Sequence, residues 1–325
     1  MSGPDSNFML NPQYHTHRFS LGDWDNTARV RCDHDKYCLP QALERELQTR
    51  HWFAPAFMPY LEHPCILKAG QSIILRLEAN HLVYFLDYTT LLEHKIVNRA
   101  VQTLIHGELN IPVPPPMKKA ALQLYTDEGY HALFSNQIAE QVAHLYGMQN
   151  RPCMPHRITR LQALIFNTPC EHSALIEFMI GFVSETVIAK ELLDAARKTL
   201  VSTVFMMLKS HLEDEARHSR YFSEAFNHVW THLTYEQRAI CARALVEIIA
   251  IFFETDTHWL NASLSTVNLE QAAIQQIVEN LQTPHNYCQR VRSGARATFV
   301  AMARSGFFDD SENLQLFIGA GFINA

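Results

Sequence analysis

Apolar residues recur at three- and four-residue intervals along most of this chain, the period of helices that bury one face. The pattern predicts long helices over 71–106, 118–146, 171–198 and 203–230, the segments expected to form a bundle core. Shorter helices are expected over 40–51, 159–166, 235–255, 269–281 and 285–304. Punctuation supports these limits. The run Pro112, Pro114, Pro115, Pro116 cannot continue a helix and reads as a rigid connector. Gly147 is a helix stop, Pro152 and Pro155 open a linker, and Thr234 has the side chain of an N-cap. Pro55, Pro59 and Pro64 keep the chain irregular before the first long helix. No segment alternates with period two between turn signals, so no sheet is expected. The reading is all-α: one domain over 1–325, with an extended arm over 1–38, a bundle core over about 70–230 and flanking helices over 231–325.

Polar residues inside the apolar stripes then change the picture. Two of the long helices carry D-E-x-x-H, as Asp127-Glu128-Gly129-Tyr130-His131 and Asp214-Glu215-Ala216-Arg217-His218. Residues three apart share a helix face, so each motif aims a carboxylate and an imidazole at one point. Glu215 shares its stripe with Leu208, Leu212 and Phe222, and Glu128 lies beside Leu124, Tyr125 and Ala132. Lone acids occupy similar stripes on the other two helices. Glu185 falls among Phe178, Phe182, Ile188, Ala189 and Leu192, and Glu93 among Leu86, Thr89, Thr90, Ile96, Val97 and Ala100. A buried carboxylate costs several kcal/mol unless paired or metal-bound. One E-x-x-H arises often by chance; two, with two further buried acids, call for cations. Four carboxylates balance two divalent ions, and oxygen with imidazole donors suits iron or manganese. His211, one turn before Glu215 on the same face, adds a third nitrogen that would make the two ions unequal. Asp127 and Asp214 either orient the histidines, as metal-bound imidazoles require, or are solvated surface acids.

Composition narrows the class. Only 11 glycines in 325 residues fit a helical protein, because glycine weakens helix interiors. The net charge of −6 and the absence of a basic stripe argue against nucleic acid. The most apolar run, 245–253, is interrupted by Glu247 and too short to span a bilayer, so no membrane partner is expected. The first residues lack a secretory pattern, and a soluble, cytoplasmic protein is expected. Seven scattered cysteines without C-x-x-C point to reduced thiols. Cys32, His34 and Cys38 sit close together, but their spacing matches no common zinc arrangement and a second ligand pair is missing.

The ordered set Glu93, D-E-x-x-H at 127–131, Glu185 and H-x-x-x-E-x-x-H at 211–218 resembles the AurF family, over roughly residues 70 to 305. Its members are di-iron N-oxygenases typified by p-aminobenzoate N-oxygenase. The resemblance implies a ferritin-like bundle, a homodimer, and oxidation of an amine to hydroxylamine, nitroso or nitro product with O2 and an external electron donor such as a reductase. It implies a small-molecule arylamine, or an amino substrate tethered to a carrier protein, in secondary metabolism. A cationic group holds the substrate carboxylate in the family; Arg290 and Arg292, on a late helix able to cap a pocket, are the candidates here. A C-hydroxylase or desaturase on the same scaffold is the rival reading, and His211 speaks against it because such enzymes manage with two histidines. An iron-storage or other non-catalytic bundle fits poorly with the chain length and extra helices.

Overall fold

The computed structural model describes residues 18–32, 37–149, 151, 154–281 and 283–324. Four long helices make the core. Helix α1 comprises Gln71–Leu92, a π-helical turn Glu93–Val97 and Asn98–Ile105. Helix α2 is Pro115–Leu145, α3 is Cys170–Ala195 and α4 is Ser202–His232. Helix α1 packs on α2 and α3, and α4 packs on α3 and α2, which closes a four-helix bundle. No strand forms among the described residues; the sole β-type pairing is an isolated bridge between His51 and Leu200.

Local chemistry explains the limits. Proline starts α2, where its missing N–H would be unpaired anyway. Gly147, at φ +62°, takes the left-handed conformation that lets the chain leave α2. Thr234 caps Tyr235–Phe253 through a reciprocal exchange with Gln237. The π turn was not legible in the apolar period. It inserts one wide turn beginning at Glu93, a device often found at functional sites.

Flanking helices cover the bundle. Tyr235–Phe253 and Arg296–Arg304 lie on α3, the latter also on α4, and Thr257–Ser265 lies on α1. Several expectations need correction. The 285–304 segment breaks at Ala295 into Pro284–Gly294 and Arg296–Arg304. Thr257–Ser265 and Ser311–Gly319 are helices the periodicity did not single out. Each of Pro55, Pro59 and Pro64 starts a short helical turn instead of keeping the chain irregular. The helix expected over 40–51 shrinks to Leu43–Glu46. Residues 18–32 are not an extended arm: Trp24–Thr27 and Arg29–Cys32 are helical turns, with Phe19, Leu21 and Ala28 buried. Residues 1–17 and 33–36 of the expected arm, with His34 of the zinc trio, lie outside the described residues; the Cys32 thiol donates to the Asn26 carbonyl at 2.8 Å. The helix of membrane-spanning length and hydropathy is α3, not the 245–253 run, and 72% of its most apolar window is buried in the bundle.

Two apolar cores fill the bundle, one around Phe178, Phe182, Phe222 and Phe226, the other around Leu82, Phe134, Ile138 and Met207. A buried polar layer crosses all four helices. Helix α3 approaches α1 closely at Gly181, where an added Cβ would run into the Ala100 Cβ. Gly181→Val is therefore expected to lower stability by about 1–3 kcal/mol through overpacking, read as a fall in thermal midpoint. An unchanged midpoint would show that the two helices separate freely here.

Candidate metal centre

The polar layer contains the seven residues singled out by the sequence, and all seven are fully buried. Glu93 opens the π turn of α1. Glu128 and His131 lie one turn apart on α2, Glu185 stands on α3, and His211, Glu215 and His218 form one stripe of α4. The long apolar helices place the four acids in the interior, and their polar atoms converge. Glu128 spans two imidazoles, with Oε2 2.9 Å from His131 Nδ1 and Oε1 3.0 Å from His218 Nδ1. Glu215 Oε1 lies 3.1 Å from His131 Nδ1, 3.3 Å from His218 Nδ1 and 3.2 Å from His211 Nε2. The outer acids flank this centre: Glu93 Oε1 is 3.6 Å from His211 Nε2, and Glu185 Oε2 is 3.6 Å from His218 Nδ1.

Hydrogen bonds do not satisfy this cluster. Both oxygens of Glu93, Glu185 and Glu215, both nitrogens of His211, and His218 Nδ1 meet no aligned partner. Buried polar groups are nearly always paired, so this concentration of orphaned donor atoms fits bound cations. Three overlapping groups have ligand atoms within 4.8 Å of one another: Glu93, His131, His211, Glu215; Glu128, His131, Glu215, His218; and Glu93, Glu128, Glu185.

With protons as the only cations, the site shows the same demand. Burial, then the neighbouring carboxylates, pushes Glu93 and Glu185 well above the usual carboxylate range. Burial opposes the charge on Glu215, but His218, His131 and His211 outweigh it and hold the carboxyl well below that range. Burial also disfavours the His131 and His218 cations. The carboxylates around them prevail, and both histidines are raised well above their ordinary value. His211 is lowered, by burial and then by His131.

An outer layer orients the two motif histidines. His131 Nε2 lies 3.0 Å from Asp214 Oδ2, and His218 Nε2 lies 3.1 Å from Asp127 Oδ2. The link is crossed: the aspartate of each motif holds the histidine of the other. An Nε2–H donated outward leaves the Nδ1 lone pair facing the cluster. Both aspartates are buried, so they are not surface acids. Asp127 accepts from Trp24 Nε1 at 2.9 and 2.8 Å. Asp214 accepts from the Arg29 backbone N–H at 3.2 Å and from the Arg217 guanidinium. Sequence reasoning missed Trp24 and Arg29, which lie in a stretch without periodicity.

Arg290 and Arg292 do not reach the cluster. Arg290 donates to the Leu281 and Phe253 carbonyls and the Thr255 hydroxyl, and exposed Arg292 donates to the Gly321 carbonyl. A different arginine packs against α1. Arg157, from helix His156–Asn167, sits over the Tyr88 ring at 4.7 Å and that of Phe252 at 5.7 Å. It faces Glu191, whose carboxyl burial raises and Arg157 lowers, with a net rise.

A bundle with one acid on each of two helices and an E-x-x-H on each of the other two has the ligand pattern of the ferritin-like carboxylate-histidine di-metal proteins. Within that class, the family model described as P-aminobenzoate N-oxygenase AurF matches residues 22–304 of the 325. The chain belongs to the AurF family. None of the curated proteins compared matches it.

Proposed function

We propose that this protein is a di-iron N-oxygenase that converts a substrate amine to a hydroxylamine, with further oxidation to nitroso or nitro product, in secondary metabolism. The observation that carries the reading is the buried set of four glutamates and three histidines, in a chain of the AurF family. Glu93, His131 and His211 would hold one iron, Glu185 and His218 the other, and Glu128 and Glu215 would lie between them, since each already approaches both motif imidazoles. Bound there, the irons would supply the activation of O2, with one oxygen atom delivered to the nitrogen and the other released as water, at the expense of two electrons from an external reductase and two protons. The chain supplies position and dryness. Asp127 and Asp214 fix the tautomers of His218 and His131. Phe134, its ring centroid 5.4 Å from those of both His131 and His211, walls one side with apolar surface. Such a wall favours the neutral amine over the ammonium, leaving its lone pair available.

Arg157 replaces Arg290 and Arg292 as the anchor for the far end of the substrate. Tyr88 precedes Glu93 by five residues and Glu191 follows Glu185 by six, which sets the guanidinium about 7–9 Å along the helix axes from the carboxylate layer. That span suits a small arylamine bearing a carboxylate, or the amino end of a carrier-tethered substrate. Arg157→Met is expected to raise KM at least tenfold with a smaller change in kcat; unchanged KM would remove the anchor. We further propose that it acts in the cytoplasm as a homodimer, the assembly that the family resemblance implies. The function itself is tested by loading two equivalents of Fe(II) anaerobically, adding ¹⁸O2 and a reductant, and screening amines by mass spectrometry. Label on nitrogen is the expected result. Label on carbon would replace the reading with a hydroxylase, and an iron content of one or none would end it.

A further inference from the structure

The segment 18–32 is fastened lengthwise along one face of α4. The Phe19 N–H donates to the Glu224 carboxylate, Arg220 donates to the Ser20 carbonyl, Arg217 reaches the Thr27 carbonyl at 3.5 Å, and Arg29 pairs with Glu213. Its partners Glu213, Arg217, Arg220 and Glu224 recur at helical spacing, so the strap runs antiparallel to α4 over two to three turns. Phe19 and Leu21 anchor it in the apolar core shared by α3 and α4.

The strap touches the centre through two different donors. At Asp214 the charge is offset by the Arg217 guanidinium and the Arg29 backbone N–H. At Asp127 the donor from the strap is a neutral indole N–H, directed at both carboxylate oxygens. A neutral donor fixes the carboxylate without cancelling its charge. Asp127 therefore keeps its negative charge toward His218 Nε2–H, 3.1 Å away, and supports that imidazole as an electron-rich ligand.

The geometry points to Trp24 as a positioning residue of the metal centre, acting through Asp127 to set the orientation and donor strength of His218 and hence the properties of one iron and not the other. This inference rests on the di-iron reading above. Trp24 touches no ligand itself, and its only route to the cluster among the described contacts is the Trp24–Asp127–His218 chain.

The test uses the full chain, loaded anaerobically with ⁵⁷Fe(II) and examined by binding titration and Mössbauer spectroscopy. Trp24→Phe removes the N–H and keeps an aromatic ring. Benzothienylalanine placed at position 24 keeps the whole indole shape without the N–H, and serves if the phenylalanine variant does not fold. Either replacement is expected to weaken one of the two iron equivalents by about tenfold, the lower end for losing a group that orients a metal-bound histidine. It should shift one quadrupole doublet and leave the other in place. Asp127→Asn should move the same doublet, and adding the Trp24 replacement to it should change little more, because both act on one chain. Two unshifted doublets with parental affinities, equal shifts of both, or additive losses in the double variant each overturn the inference. A parent protein that fails to take up two irons overturns the di-iron reading itself, a distinguishable result.

Discussion

Glu215→Ala is expected to lose both irons, while His211→Ala retains both. Among the described residues, Glu215 Oε1 is the one atom within 3.3 Å of nitrogens from all three histidines, so its removal opens both ion positions together. Among the described acids, His211 Nε2 approaches Glu93 and Glu215, on one side of the centre. Its loss leaves four carboxylates and two histidines, the complement of a ferritin-type site. The alanine variant at 215 should still fold. Glu215 offsets the charge of the buried imidazoles, which hold its carboxyl well below the usual range, so chelator-treated Glu215→Ala should melt at a lower temperature than chelator-treated parent while keeping its helical spectrum. Iron analysis after anaerobic loading, with circular dichroism on the same samples, decides the matter. Two irons bound to Glu215→Ala would mean that the centre is built on other carboxylates. His211→Ala should instead lose oxygenation, and normal turnover in that variant would remove the third histidine from the centre.

Loading with Fe(II) is expected to raise the thermal midpoint by on the order of 10 °C, and more at pH 8 than at pH 6. Free iron at a hundredfold excess over its dissociation constant stabilises by about 2.7 kcal/mol per site, hence roughly 5 kcal/mol for two. The pH dependence comes from the protons that iron displaces. Glu93 and Glu185 are raised, so between the ordinary carboxylate value and their own the folded chain holds protons that the unfolded chain has lost. Stability without iron therefore falls as pH rises through that window. His131 and His218, also raised, act in the same direction above about pH 6.5. His211, lowered, acts oppositely, but only up to about pH 6.5. Iron loading removes these proton-linked losses, so its increment grows with pH. Melting curves with iron and with chelator at both pH values measure it; an increment larger at pH 6 would contradict these assignments.

The four core helices and the convergence of the seven residues were legible because burial leaves a mark in the period. An acid inside an apolar stripe, as at Glu93 and Glu185, stands out against its neighbours. Thr234 and Gly147 likewise marked helix ends through side-chain or backbone chemistry that acts within a few residues. What the sequence did not show depends on distant partners. Tyr125 shares a stripe with Glu128 but is 40% exposed. Trp24 has its role through Asp127, 103 residues away, and a stretch with neither apolar period nor motif gives no sign of such a pairing. Arg290 and Arg292 attracted attention as cations near the end of the chain, yet the carbonyls beside them absorb their donors. Arg157 carries no mark of its own in the sequence, because Tyr88 and Phe252 flank it only in the fold.

The wide turn at Glu93 bears on how this helix tolerates change in length. An added residue in a continuous α-helix would rotate everything beyond it by about 100°, turning one buried face to the outside. A five-residue turn takes up such an addition locally, so the two ends of α1 keep separate rotational settings. One end packs against Thr257–Ser265 and the other against α3. Deleting one residue at Glu93–Val97 would therefore force a choice between those contacts, and natural relatives that differ by one residue here would have to differ also in the surfaces that meet one end of the helix.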